Sequence, residues 1–297
     1  MNALQTNLSK SARIGVFAPS GVFNEERFEA GLEIIRGWGF EPVLAPNVGK
    51  RHRYLAGSDQ DRRDDLVWAL TDSTLDAAWM VRGGYGLTRL LAGVPWERAV
   101  NRPVLGFSDG TALHVALRQC SGVQGIHAPV IHSLSSTNQA SQEALRRLLQ
   151  EGVVPDLPGR VLSDGQMVVE PAPVVGGNLC LLSAMCGTRW QLDATSSILL
   201  LEEVNEPPYK VDRMINQLRM SGVLDGVVGV AYGSFTGTSS PDEAAWSVEQ
   251  LLVELLSDLS VPIIGGLPVG HSDDNFPFVF GKPASIQAGR LVFNSVP

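Results

Sequence analysis

Four times in the first 110 or so residues, a short apolar run is cut off by a turn rich in glycine, proline or serine, and apolar residues then recur at helical spacing. Ile14 to Ala18 precedes Phe28, Leu32 and Ile35, and Pro42 to Ala45 precedes Leu66 and Leu70. Ala77 to Val81 precedes Leu87, Leu90 and Leu91, and Val104 to Phe107 precedes Leu113 and Leu117. Strands that alternate with helices in this way build an α/β layer around a parallel sheet. Start signals agree with the pattern: Asn24 stands before Glu25 and Glu26, and Ser58-Asp59-Gln60-Asp61 has the form of a capping box. In a parallel sheet the loops leaving the carboxyl ends of the strands gather in one crevice, so the chemistry is sought there.

Two of those loops stand out. Gly106-Phe107-Ser108-Asp109-Gly110 joins a buried strand to a helix, the context a nucleophilic serine on a sharp strand-to-helix turn requires. Glycines flank the serine because the backbone there is strained and neighbouring segments pass close. One strand earlier, Arg82-Gly83-Gly84-Tyr85-Gly86 exposes backbone N–H groups that can hold a developing oxyanion. Each motif alone also fits an ordinary glycine-rich turn, so partners have to decide.

Residues 152–164, with Pro155, Pro158 and Gly159, read as a linker between a first domain, 1–151, and a second, 165–297. Beyond the linker, Val161 to Val175 reads as short strands with turns, so the second domain is expected to be α+β. An apolar helix to Met185, strands at Ser197 to Leu201, Val227 to Tyr232 and Pro262 to Ile264, and helices starting at Pro207-Pro208 and Pro241 follow. The strand at Ser197 runs straight into Glu202 and Glu203, whose side chains must point to opposite faces. Glu202 extends the buried run, whereas Glu203 better fits a solvated acidic position.

A serine hydroxyl needs a base, usually a histidine held by a carboxylate. Of the five histidines, His52 sits among arginines in a polar stretch, and His114 lies on the helix after Ser108, pointing away from it. His127 could line the site or serve packing, and His132 lies close by. His271 follows the turn-rich Gly265 to Gly270, where packing gives little reason for an imidazole, and is the best candidate base. The chain order Ser, Glu, His also occurs in α/β-hydrolases, so order alone names no family.

A formal charge of −8 without a Lys/Arg cluster argues against nucleic acid or an anionic membrane as partner. No apolar run approaches a membrane span. Three cysteines, Cys120, Cys180 and Cys186, have no metal-ligand spacing and read as reduced thiols of a cytoplasmic protein.

Five motifs in fixed order then carry a resemblance: Val81 to Gly86; Gly106 to Asp109; Gly176-Gly177-Asn178-Leu179; Leu201-Glu202-Glu203 with Pro208 to Arg213; and Gly265 to His271. Together they closely resemble the LD-carboxypeptidase family of serine peptidases, which includes murein tetrapeptide carboxypeptidases and microcin C self-immunity peptidases. The resemblance implies a Rossmann-like N-terminal domain carrying the nucleophile and a smaller β-rich C-terminal domain carrying the acid and base. It implies Ser108 as nucleophile, His271 as general base and then acid, Glu202 as orienting carboxylate, and the backbone N–H groups of Gly84 and Asp109 as the oxyanion hole. It further implies a murein-derived peptide that loses a terminal D-alanine, no metal or cofactor, and a homodimer. Many members have Glu-Asp where this chain has Glu202-Glu203, so Glu203 remains a fallback for the acid. Roles for Arg82 at a substrate carboxylate and for Trp190 near the substrate stay open beside structural ones. The other readings are a self-immunity peptidase acting on microcin C-like peptidyl-nucleotides and a non-catalytic ligand-binding relative.

Overall fold

A computed structural model describes residues 7–163, 168–238 and 246–293. The chain clusters into two units, Met1–Val154 with Pro277–Val279, and Pro155–Phe276 with Phe280–Pro297. In chain order the first stretch comprises β1 (Arg13–Phe17), α1 (Glu25–Gly37), β2 (Glu41–Leu44), α2 (Asp59–Thr71), β3 (Ala77–Met80), β4 (Val104–Gly106), α3 (Gly110–Cys120), β5 (Gly125–His127), α4 (Ile131–Leu134) and α5 (Gln139–Glu151). There follow β6 (Arg160–Val161), β7 (Val168–Asn178), α6 (Leu179–Met185), β8 (Ile198–Val204), α7 (Pro208–Met220), β9 (Gly229–Thr236), α8 (Val248–Leu256), β10 (Ile263–Gly265), β11 (Phe278–Val279), β12 (Pro283–Gln287) and β13 (Arg290–Phe293).

In the first unit β2, β1, β3, β4 and β5 lie side by side, all parallel, and β11 closes the far edge antiparallel to β5. Residues that alternate along the strands feed two opposite layers. On one face Ile14, Val16, Trp79, Val81 and Leu105 pack with Phe28, Leu32 and Ile35 of α1 and Leu145, Leu148 and Leu149 of α5. On the other, α2 packs over Gly15 through Trp68, and α3 brings His114 against Gly125 and to the carbonyl of Gly106. The expected starts hold: Asn24 caps α1, and Ser58 and Asp61 form the reciprocal box that opens α2. The order 2-1-3-4-5 reverses direction at β1 and β3, which makes the carboxyl ends of these strands the switch point where such sheets bind ligands. The helix expected after the glycine loop is instead three short 3-10 turns, at Leu87–Arg89, Leu91–Gly93 and Trp96–Arg98. Gly93 and Pro95 interrupt any longer helix, while Leu87, Leu90 and Leu91 still bury fully.

The second unit is β-rich, with strands in the order β13-β12-β7-β8-β9-β10-β6. Its centre, β7 to β10, is parallel, and β12, β13 and β6 add antiparallel strands at the edges. Where short strands were expected before Val175, one eleven-residue strand runs from Val168 through both glycines to Asn178. Residues 164–167 lie outside the described residues, as do 239–245, where a helix start at Pro241 was expected; α8 begins at Val248 behind its own capping box from Ser247. Among the described residues no helix is long and apolar enough to cross a membrane.

Candidate active site

Three loops leave the carboxyl ends of β1, β3 and β4 in the first unit. Ser108 sits on the last of them with φ +61°, a left-handed conformation that a residue with a Cβ adopts only at a cost of about 1–2 kcal/mol. The strain belongs to the turn: β4 ends at Gly106, Ser108 is half-buried, and α3 starts at Gly110. Neighbours crowd the serine closely. A Cβ added to Gly83 would lie 2.7 Å from Ser108 Cβ and 2.9 Å from its Oγ, so the glycine loop passes directly against the serine side chain. Gly84, the next residue, is exposed with φ +104°. Asp109 is buried, and its Oδ2 accepts hydrogen bonds from Ser20 Oγ at 2.6 Å and from the Leu87 N–H at 2.8 Å. Burial pushes its carboxyl above the usual range against the pull of those bonds.

Arg82 donates to the carbonyl of Val22. His127 is buried, stacked on Phe278 with ring centroids 4.8 Å apart and 5.6 Å from the Phe107 ring. His114 lies within the core with Nε2 2.9 Å from the Gly106 carbonyl, and burial lowers its pKa to about 4. His52 is exposed.

In the second unit Glu202 and His271 come together. His271 Nδ1 donates to Glu202 Oε2 at 2.6 Å, and the carboxylate is fully buried while the imidazole keeps 19% of its surface exposed. The ladder makes room for this pair: between Leu201 and Glu203, β9 carries an extra residue, so Gly233 and Ser234 lie opposite Glu202. Bulges of this kind re-aim a side chain and cluster next to active sites. Gly270, φ +118°, sets the histidine's approach, since a Cβ there would lie 2.5 Å from Ser234 Oγ and 2.9 Å from Glu202 Cβ. Thr236 Oγ1 fixes the backbone beyond it by donating to the His271 carbonyl. Burial alone would lower the His271 pKa, but the hydrogen bond and charge of Glu202, with the charge of Glu203, raise it above its ordinary value.

Glu203 is not solvated, contrary to expectation. It is buried on the opposite face of β8, where Asn178 Nδ2 and the N–H groups of Cys180 and Val204 donate to it, at 3.1, 2.7 and 2.8 Å. It ties the start of α6 to the sheet, and burial raises its pKa. Trp190 is nearly buried, with the Arg189 guanidinium 4.6 Å from its ring centroid.

Of the five site residues read from the sequence, Ser108, Gly84 and Asp109 thus fall in the first unit, and Glu202 and His271 in the second. Two contributors to the first group were missed: Ser20, whose hydroxyl donates to Asp109, and Arg62, whose buried guanidinium donates to the carbonyl of Gly86. A signal for Arg62 existed. It occupies the apolar stripe of α2 with Leu66 and Ala69, where a charge requires a buried partner.

A parallel sheet with a serine on a strand-to-helix elbow, and a histidine held by a buried carboxylate, are the parts from which serine hydrolases are built. Comparison with known proteins specifies the class further. Residues 14–128 match the LD-carboxypeptidase N-terminal domain and residues 172–286 the LD-carboxypeptidase C-terminal domain. The chain belongs to the LD-carboxypeptidase family. It is 35% identical to a murein tetrapeptide carboxypeptidase of Pseudomonas aeruginosa, over 94% of each chain. A crystal structure of muramoyltetrapeptide carboxypeptidase from Oxalobacter formigenes superposes with a TM-score of 0.84 at 28% identity, covering 96% of this chain and 100% of that one. The wild-type microcin C7 self-immunity protein shares the fold, with a TM-score of 0.87 at 19% identity over 99% of both chains. Family and relatives together support a serine carboxypeptidase.

Proposed function

We propose that this chain is a serine-type L,D-carboxypeptidase that hydrolyses the L,D peptide bond releasing terminal D-alanine from a murein tetrapeptide. The observation that carries the reading is the 2.6 Å hydrogen bond from His271 Nδ1 to the buried Glu202, which holds the imidazole in the tautomer whose Nε2 can take a proton. Its companion is the left-handed serine at the elbow. In this reading the first domain, 1–151, supplies attack and oxyanion binding, and the second, 165–297, supplies the proton relay. His271 removes the Ser108 proton as Oγ attacks the carbonyl carbon, and the N–H groups of Gly84 and Asp109 receive the charge that develops on the oxygen. Collapse breaks the C–N bond, and His271 gives its proton to the departing D-alanine amine. Water, deprotonated by the same imidazole, then hydrolyses the acyl-enzyme. Glu202 keeps its charge throughout and stabilises the imidazolium. A cytoplasmic homodimer that recycles cell-wall peptide is the setting this reading expects.

The test is release of D-alanine from a murein tetrapeptide by the purified protein. Ser108→Ala is expected to lower kcat by several orders of magnitude, leaving only what binding and the oxyanion hole supply. Undiminished release by that variant would sink the triad. Cleavage of a peptidyl-nucleotide with the murein peptide untouched would move the same triad to the other substrate class.

A further inference from the structure

Arg62 is an arginine with no solvent-exposed surface on a helix that precedes the glycine loop in the chain. Taking a guanidinium out of water is costly, and an apolar side chain of similar volume would usually serve packing as well. Its contacts show what the charge holds. Nη1 donates to two carbonyls, those of Pro19 and of Gly86, the latter at 3.0 Å, and Nη2 donates to Asp59 Oδ1 at 2.5 Å. The guanidinium packs on the loop itself: Gly86 has φ +134°, and a Cβ there would lie 2.6 Å from Nη1. Asp59 then reaches the same loop a second time, because its Oδ2 accepts from Arg89 Nε at 3.0 Å and Nη2 at 2.8 Å. Between these two anchors the Leu87 N–H is held by Asp109. On the other side of the loop the Gly83 carbonyl accepts from the Gly21 N–H at 3.1 Å. The segment is therefore pinned at 83, 86, 87 and 89, and Gly84 and Tyr85 remain as its exposed apex.

We infer that Arg62 is a positioning residue for this peptidase: it ties the loop after β1 to the loop after β3 through the Pro19 and Gly86 carbonyls, and so holds the Gly84 N–H in register with Ser108. The inference rests on Gly84 and Ser108 having the roles proposed above. A guanidinium suits the task because its planar fork reaches two carbonyls and a carboxylate at once, which a single ammonium group cannot do in the same geometry. Arg62 itself touches no reacting atom. Its effect is to remove a freedom of the donor loop before substrate arrives, and preorganised donors of this kind dominate oxyanion stabilisation.

The experiment measures kcat and KM for murein tetrapeptide, per folded molecule, in Arg62→Met and Arg62→Lys, with hydrogen exchange of the peptide spanning 82–90. Arg62→Met is expected to lose about a hundredfold in kcat, the usual effect of a displacement near 1 Å or of a lost oxyanion donor. KM should stay within about threefold, as for an interaction made only in the transition state. Exchange over 82–90 should quicken, and Arg62→Lys should recover part of kcat. A folded Arg62→Met enzyme with wild-type kcat overturns the inference, whatever happens to its melting temperature. Should Arg62→Met fail to fold, Asp59→Asn replaces it at a partly exposed carboxylate that bonds both Arg62 and Arg89. A kcat loss there with unchanged KM supports the inference, and wild-type kcat overturns it. Ser108→Ala is measured alongside. Release that survives that change sinks the nucleophile reading and this inference with it, whereas release lost there but kept in Arg62→Met sinks the inference alone.

Discussion

Gly83→Ala puts a single methyl group against the proposed nucleophile. Gly83 does not have the positive φ of its neighbour Gly84, so alanine meets no backbone penalty at this position and the effect is one of space. The added Cβ would lie 2.7 Å from Ser108 Cβ, and ordinary van der Waals contact begins at 3.4 Å, so the two must part by about 0.7 Å. Rotation about χ1 of Ser108 relieves the 2.9 Å contact with Oγ but not the contact with Cβ, which is fixed to the backbone. Either the elbow or the glycine loop must move, and both are needed in the proposed mechanism. Overpacking of this kind costs about 1–3 kcal/mol, which lowers Tm by roughly 2–12 °C in a protein of this size. A nucleophile displaced toward 1 Å from its attack position costs up to about a hundredfold in kcat. The assay pairs D-alanine release from murein tetrapeptide with thermal melting, and Gly37→Ala serves as control. Gly37 ends α1 with nothing within 4 Å of an added Cβ, so that change should leave kcat alone and hold or raise stability by about 0.5–1 kcal/mol. A Gly83→Ala enzyme with wild-type kcat and Tm would refute both the crowding argument and the place assigned to Ser108.

Three further outcomes follow from the histidines. Glu202→Gln removes the charge and weakens the hydrogen bond that raise the His271 pKa, so the acid limb of the kcat/KM profile should move to lower pH while the plateau falls by about 10⁴. The same raised pKa means that the pair's contribution to stability is fully present below about 6.5, the unfolded value, and fades as pH rises through the folded value. Melting curves of the variant and the parent should therefore converge toward alkaline pH. His114 runs the other way: its folded pKa is lowered to about 4, so its contribution is present above 6.5 and is lost as pH falls toward 4. Imidazole NMR titration should find His114 neutral at pH 5.5, and a midpoint near 6.5 would refute its burial.

Much of the first unit was legible because its signals are local. The apolar runs at Ile14, Ala77 and Val104 are buried strands, and Asn24 and Ser58 cap the helices they precede, since a cap is decided within four residues of chain. The glycine loop and Ser108 were legible for the same reason. What escaped notice depends on residues far apart in sequence. The place of Arg62 on the apolar stripe of α2 marks it as buried, but the Pro19 and Gly86 carbonyls that it holds come from other parts of the chain. Gly176 and Gly177 look like a turn, yet both continue a strand beside β8, where a Cβ on Gly176 would strike the Leu200 backbone. The parallel centre of the second sheet was hidden because the stretch up to Val175 reads as short strands with turns, whereas β7 runs unbroken to Asn178 and pairs parallel with β8. Glu203 looked solvated because nothing in its neighbourhood announces that Asn178 and the start of α6, some 25 residues earlier, will supply its donors.

The last strand of the first sheet comes from residues 278 and 279, nearly at the other end of the chain. During synthesis, then, β5 must wait for some 150 further residues to leave the ribosome before its open side is paired, and until that moment His127 lacks the Phe278 ring on which it stacks. An unpaired strand edge is a template for any other extended chain, so the nascent protein carries an aggregation hazard that disappears only once residues 278 and 279 have emerged. The same arrangement makes the two units poor candidates for separate genes. A cut after Val154 would yield a first unit with a permanently bare edge, and fusing a copy of residues 277–279 behind α5 would be the smallest repair.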